Sequence, residues 1–163
     1  MTDIMQSRKK LQQAMNIAPA ISGGIEDLLG RSANGMTFVA GRKLGKQMTE
    51  SAKKTTDIHE ALEETRRVLV DNHCLWHFEP FKPSSQSELV KQTDKGLEVM
   101  LVFRDCMIRQ SLFRYGHPQE GSLCFMMYGF FSGALENIMG KKTELQIVHS
   151  GENACLKRLT IEN

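Results

Sequence analysis

Four side chains in the last quarter of the chain have the composition of a metal site. Cys124 lies near the start of an apolar segment, Cys155 lies close to the C-terminus, and Glu144 and His149 lie between them. Thiolate, imidazole and carboxylate are the groups that hold zinc in proteins, and three such ligands with a water can complete a tetrahedron. The four residues therefore form a candidate zinc site. In the alternative interpretation both cysteines are small buried apolar residues and His149 is an ordinary strand residue.

Two histidines and a cysteine near the middle of the chain form a weaker candidate. In a strand, Cys74 points away from the side to which His73 and His77 point, so the three side chains do not converge on one ion. The sequence also contains no glycine-rich phosphate loop, nucleophile elbow, HExxH motif or dinucleotide fingerprint. Without any of these motifs, the sequence does not indicate an enzyme.

The candidate zinc ligands depend on a helix and a hairpin for their positions. Residues 123–138 are apolar or small nearly all round, which predicts a helix buried on most of its circumference. Gly140 ends this helix, and two lysines follow it. The helix is shorter and more polar at its end than the roughly 20 apolar residues of a membrane span. From residue 143 to 161 the pattern alternates around a turn at residues 150–153, which predicts a β-hairpin.

The same residues carry a family resemblance. Cys124-x4-Gly129-x3-Gly133-Ala-Leu-Glu-x3-Gly140, followed by a hairpin with Gly151-x3-Cys155, resembles the 4-vinyl reductase domain, also called the hydrocarbon-binding domain. That family shares its fold with the small TRAPP vesicle-tethering subunits and with aromatic-sensing input domains of bacterial transcription activators. The resemblance covers the last forty residues and extends faintly to a Gly41-x3-Gly45 helix. It implies an α+β fold in which helices pack on an antiparallel sheet.

The resemblance also implies a zinc site, and this chain departs from it. Many members use a Cys before the glycine helix, a Glu and a Cys on the first hairpin strand, and a last Cys on the second. Cys124 and Cys155 match the outer positions, but Ile147 or Ser150 stands where the middle Cys is expected, depending on how the hairpin is aligned. The implied zinc site is therefore degenerate or absent, with Glu144 or His149 as third ligand.

Length and composition limit the function classes. The 163 residues form a single domain, 1–163, with residues 1–20 as an N-terminal helical arm or a frayed terminus. The net charge of +2 comes from interspersed acidic and basic residues, which excludes an electrostatic argument for nucleic acid. Four widely separated cysteines without a secretory signal favour a reducing cytoplasm.

The rest of the chain is predicted to form helices and strands around the central helix. Pro19 is expected to end the arm, and the glycine pairs at 41/45 and 129/133 predict two tightly crossing helices. The other expected elements are helices over residues 36–51 and 58–71, strands over 74–81 and 96–105, and a loop over 82–95.

Methionine and aromatic residues make up much of the predicted interior, which is typical of a pocket for an apolar molecule and also of ordinary packing. The expected ligand-binding residues are Phe38, Trp76, Phe103, Met126, Phe130 and Phe131. With the resemblance, they predict a homodimer that binds a hydrophobic small molecule or acyl chain. The alternatives are a TRAPP-like scaffold subunit and, less favoured, an accessory protein of tetrapyrrole vinyl reduction.

Overall fold

A computed structural model of the chain describes residues 2–74, 76–104, 106, 108–109, 112 and 119–163, with only the backbone given at 2–5, 7–9 and 11–15. The α-helices are α1 (Thr2–Leu29), α2 (Ser32–Met48), α3 (Ile58–Asp71) and α4 (Ser122–Met139). The strands are β1 (His77–Phe81), β2 (Val90–Thr93), β3 (Gly96–Arg104), β4 (Thr143–Ser150) and β5 (Ala154–Glu162). Ile108, Arg109 and Leu112 are also helical. The predicted α+β fold, with helices on an antiparallel sheet, is confirmed.

Strand β3 is the centre of the sheet. It pairs with β1 and β2 along one edge and with β5 along the other, and β4 pairs with the far side of β5. All pairs are antiparallel. In the β3–β5 register Phe103 lies opposite Cys155 and Leu101 lies opposite Lys157. Because opposite residues share a face of the sheet, Lys157 projects to the same side as the buried Phe103.

Helix α4 is the central helix that the sequence predicts. Its backbone touches that of α2, because a Cβ atom on Gly41 would lie 1.9 Å from the carbonyl oxygen of Met126. On the other helix, a Cβ atom on Gly133 would lie 2.1 Å from the carbonyl oxygen of Arg42. The expected glycine-mediated crossing is confirmed.

Polar contacts fix α4 at both ends. Glu26 of α1 accepts a 2.6 Å hydrogen bond from the backbone N–H of Ser122, one of the free donors of the first turn of α4. Near the other end, the carbonyl of Ile138 accepts a 3.1 Å hydrogen bond from the backbone N–H of Thr55, and in between Thr143 of β4 donates a 2.8 Å hydrogen bond to a carbonyl in the middle of the helix. These bonds set where α4 lies above the sheet.

Helix α3 begins as predicted. The side chain of Asp57 accepts a 2.9 Å hydrogen bond from the N–H of Glu60, which satisfies a donor of the first turn. The stripe of α3 that includes Ile58, Leu62 and Leu69 is buried, so its sequence pattern gave the correct inner face.

Three predictions about the remaining elements were wrong. Helix α1 continues through Pro19, which lies buried within it, because Ser22 and Glu26 beyond the proline contact the start of α4. Helix α2 begins at Ser32 and so contains Gly35 instead of following it. The expected loop over residues 82–95 contains strand β2, whose pairing with β3 stabilises a polar segment that carries no strand pattern of its own. Among the described helices, none is both long and apolar enough to cross a membrane.

Candidate functional site

The inner face of the sheet and helix α4 enclose a group of aromatic rings. This aromatic cluster consists of Trp76, Phe78, Phe103, Phe130 and Phe131, all at most 5% exposed. The rings of Phe103 and Phe131 lie 5.0 Å apart between centroids and those of Trp76 and Phe130 lie 5.1 Å apart. Edge-to-face and tilted contacts of this kind stabilise beyond the apolar area that they bury.

Four of the six expected ligand-binding residues belong to this cluster. The other two, Phe38 and Met126, lie where α2 and α4 cross and are partly buried against the core. The carbonyl oxygen of Phe38 would lie 2.0 Å from a Cβ atom on Gly129, and that of Met126 faces Gly41 in the same way. The backbones of Phe38 and Met126 therefore take part in packing α2 against α4.

The indole of Trp76 contains an unpaired polar atom. Its Nε1 is buried, and within the described part of the chain nothing accepts a hydrogen bond from it. A buried N–H without a partner loses its hydrogen bond to water and gains none in return, so such groups are rare in folded proteins. An acceptor supplied from outside the chain would satisfy Trp76.

Next to the aromatic cluster lies a buried amine that the sequence analysis did not select. Lys157 of β5 is 2% exposed. Its Nζ lies 4.8 Å from the ring centroid of Phe103, 4.4 Å from that of Tyr128 and 3.9 Å from the sulfur of Met127. The aromatic faces attract the cation, and the thioether sulfur is a weak acceptor. Burial lowers the pKa of Lys157.

Three thiols influence this amine electrostatically. Cys106, Cys124 and Cys155 each act electrostatically on Lys157, and together with Tyr128 we call these residues the lysine–thiol cluster. Burial raises the pKa of Cys124 and of Cys155 above that of an ordinary thiol, and Lys157 opposes the shift. Burial likewise raises the pKa of Tyr128, so the phenol stays protonated. Burial therefore favours the uncharged forms of Cys124, Cys155 and Tyr128.

Two further polar atoms at this cluster have no partner. The hydroxyl of Tyr128 and Nη1 of Arg109 are buried, and the described residues offer neither a hydrogen bond. Arg109 is 7% exposed, and its charge acts on Cys155 as that of Lys157 does. The cluster therefore contains several donors and few acceptors.

The candidate zinc ligands are not brought together. Cys124 and Cys155 belong to the lysine–thiol cluster, but Glu144 is exposed, accepts a hydrogen bond from Gln146 and pairs with Thr160 across the hairpin. It thus projects from the sheet face opposite to Cys155. His149 is exposed beyond a bulge in β4. Within the described ranges, no group of three or more His, Cys, Asp and Glu side chains is placed to hold a metal ion. The described residues therefore do not fit a zinc ion.

Lys157 could have been found from the sequence. In β5 it stands between Cys155 and Leu159 at a spacing of two residues, which puts it on the apolar face of the strand. A lysine at such a position is unusual because lysine is almost never fully buried unless paired. Arg109 gave no comparable signal, since its burial follows from tertiary packing.

The described residues also line open surface depressions. One of about 480 Å³ lies where the end of α4 meets the segment before α3. Its lining residues are Lys54, Thr55, Thr56, Asn137, Ile138, Met139 and Gly140. None of these belongs to either buried cluster.

Comparison with solved structures shows the same fold in a sensory protein. The chain is similar to the crystal structure of the phenol-responsive sensory domain of the transcription activator PoxR with phenol, at a TM-score of 0.65 and 16% identity. The match covers 91% of this chain and 74% of that chain. No protein-family model and no curated protein matches the chain.

Proposed function

We propose that this chain is a sensory domain that binds a small, ring-bearing hydrophobic molecule between helix α4 and the inner face of the sheet. The observation that carries the proposal is the unpaired, buried indole N–H of Trp76 within the aromatic cluster. A ligand that brings an acceptor to this N–H and a ring to the neighbouring side chains satisfies both features of the site. The fold shared with a phenol-responsive sensory domain supports the same class of ligand.

The binding site is assembled from two layers of the fold. Phe103 comes from the C-terminal end of β3, whereas Phe130 and Phe131 come from the middle of α4. Movement of α4 relative to the sheet therefore changes the site, and a ligand that binds one arrangement better shifts the population toward it. Helix α2 would transmit that shift because its backbone is in direct contact with that of α4.

We further propose that the chain acts as a homodimer through α1 and α2. These two helices expose large apolar side chains to an unusual extent, namely Ile17, Ile21, Leu28, Leu29, Met36, Val39 and Leu44. Apolar surface of this kind is typical of protein–protein contacts. The same surface is what a scaffold subunit would use, so it also supports the alternative function as an interaction subunit.

Trp76 provides a direct test, because it is the only tryptophan in the chain and lies in the proposed site. Titration of the protein with phenol, toluene and cyclohexanol is expected to change Trp76 fluorescence saturably for at least one ring-bearing compound. N-acetyltryptophanamide, titrated in parallel, corrects for collisional quenching.

A bound ligand also stabilises the folded chain, by about 2.7 kcal/mol when its concentration is 100 times its dissociation constant. The fluorescence change should therefore be accompanied by a rise in Tm with the same compound. Unsaturable quenching that matches the free indole, together with an unchanged Tm for every compound, would contradict the proposed function.

A further inference from the structure

At or near the lysine–thiol cluster lie three donor side chains for which the described residues offer at most a weak sulfur acceptor. Lys157 Nζ contacts only a sulfur and two ring faces among the described side chains. The Tyr128 hydroxyl and Arg109 Nη1 have no hydrogen-bond partner there. All three side chains are at least nine-tenths buried, so solvent does not replace the missing partners freely.

The three donors come from separate parts of the chain, and two of them, Lys157 and Tyr128, are in contact. Lys157 is on β5, Tyr128 is on α4, and Arg109 lies in the helical stretch that follows β3. The amine is 4.4 Å from the ring of Tyr128, and both cations act on the thiol of Cys155. A group held between them would contact all three elements.

The charges at this place are not balanced by the described residues. Neither Lys157 nor Arg109 takes part in any described ion pair; the nine that are described join other residues. Among the described carboxylates, Glu120 acts on Lys157. It is exposed, and its carboxylate accepts a hydrogen bond from Ser150. Buried cations without a partner are unfavourable, so the site is complementary to an anion.

We propose that Lys157, Arg109 and Tyr128 bind the carboxylate of a small aromatic acid, whose ring packs toward Phe103. A carboxylate has two oxygens in a plane, which suits the fork of an arginine together with a lysine and a hydroxyl donor. The aromatic cluster begins at Phe103, next to the amine, and supplies the apolar surroundings for the ring. This inference rests on the proposed function and specifies the ligand class as anionic.

The test compares benzoate with benzamide, which has the same shape and no charge. Isothermal titration calorimetry of the full chain is expected to show benzoate binding at least about tenfold more tightly, because a hydrogen bond to a charged group is worth more than a neutral one. Lys157→Met should weaken benzoate binding at least about tenfold and leave benzamide unchanged. Lys91→Met, which removes an exposed lysine of the same sheet, should change neither.

Tyr128→Phe is the second variant, because it removes only the hydroxyl. It is expected to weaken benzoate binding about threefold or more even if Lys157→Met does not fold. Equal affinities for benzoate and benzamide, or benzoate binding that neither variant weakens, would overturn the carboxylate site. In either case, a saturable response of Trp76 to neutral rings would leave the proposed function standing. If benzoate, benzamide and the neutral rings all fail to bind, both proposals are wrong.

Discussion

At the scale of single residues, the main feature is an amine placed where a core residue is expected. Lys157 occupies an inward position of β5 between Cys155 and Leu159, and among the described side chains aromatic faces and a sulfur contact its Nζ. Burying an amine without an acceptor destabilises a fold. Its presence is understandable if binding recovers the lost interaction.

This view predicts that Lys157→Met stabilises the ligand-free protein. Methionine has nearly the same length and no group to desolvate, so the free energy of unfolding should rise by about 1 kcal/mol or more. Urea denaturation measures the change, and Lys91→Met should stay within about 0.5 kcal/mol of the wild type. A loss of stability in Lys157→Met would show that the amine has a stabilising partner in the free protein.

A second residue-scale prediction concerns acid sensitivity. Glu64 accepts hydrogen bonds from Arg67 and from the backbone of Lys53, which lower its pKa to about 2. Because the folded pKa lies below the ordinary value of about 4.5, this stabilisation is present above pH 4.5 and is lost as pH falls toward 2.

Because Arg67 is half-exposed, solvent weakens its interaction with Glu64. Glu64→Gln should therefore lower the free energy of unfolding by only about 1 kcal/mol at neutral pH. The difference from the wild type should shrink between pH 4.5 and pH 2. Glu63→Gln is the control, because Glu63 is 68% exposed. A difference that stays constant over this pH range would contradict the assigned role of Glu64.

At the scale of elements, the contact between α2 and α4 organises the fold. Four glycines remove the side chains that would separate the two backbones, at positions 41, 45, 129 and 133. Arg42 and Glu136 add hydrogen bonds of 2.6 to 3.0 Å at the edge of the contact. Burial alone would raise the pKa of Glu136, but Arg42 and Lys46 lower it, so the carboxylate stays ionised beside them.

Two glycines of these helices should respond in opposite ways to alanine. Gly133→Ala places a methyl group 2.1 Å from a backbone oxygen, which only movement of a whole helix can relieve. We expect the free energy of unfolding to fall by about 3 kcal/mol or more. Gly35→Ala, within α2 with no atom within 4 Å of the new methyl group, should instead raise it by about 0.5 to 1 kcal/mol.

Thermal or urea denaturation of both variants measures this contrast. If Gly133→Ala behaves like Gly35→Ala, the two backbones do not lie as close as the structure places them.

The sequence predicted the elements whose pattern is local. The cap of α3, the bounds of α4 and the turn after Ser150 follow from residue types within a few positions, and the structure has them. Pro19 gave the wrong end of α1, because contacts with α4 from Ser22 and Glu26 are not visible in a local pattern. Strand β2 is formed by pairing with β3, which the polar sequence 90–93 does not indicate.

For the candidate site, too, the sequence predicted the local features but not those set by tertiary contacts. The aromatic residues Trp76, Phe103, Phe130 and Phe131 were predicted from composition and do meet. The opposite directions of Glu144 and Cys155 depend on the hairpin register, which the sequence left open between two alignments. The burial of Arg109 depends on the tertiary fold alone.

At the scale of the whole molecule, the exposed apolar surface of α1 and α2 predicts self-association. Val39→Glu, at a position that is 67% exposed on α2, should weaken dimerisation at least about tenfold because it buries a charge in the proposed interface. Val70→Glu, at a similarly exposed position on α3, is the matched control and should leave dimerisation unchanged. Sedimentation equilibrium measures the association of both variants. A wild type that stays monomeric at high protein concentration would contradict the proposed dimer.

The central claim is that the fold holds a small organic molecule, and native mass spectrometry tests it most directly. The freshly purified chain, and the chain incubated with benzoate and phenol, should each be compared with the mass that the sequence requires. We expect one retained small molecule per chain, released on denaturation and identifiable by its mass. A spectrum that contains only the mass of the bare chain under all three conditions would contradict the account.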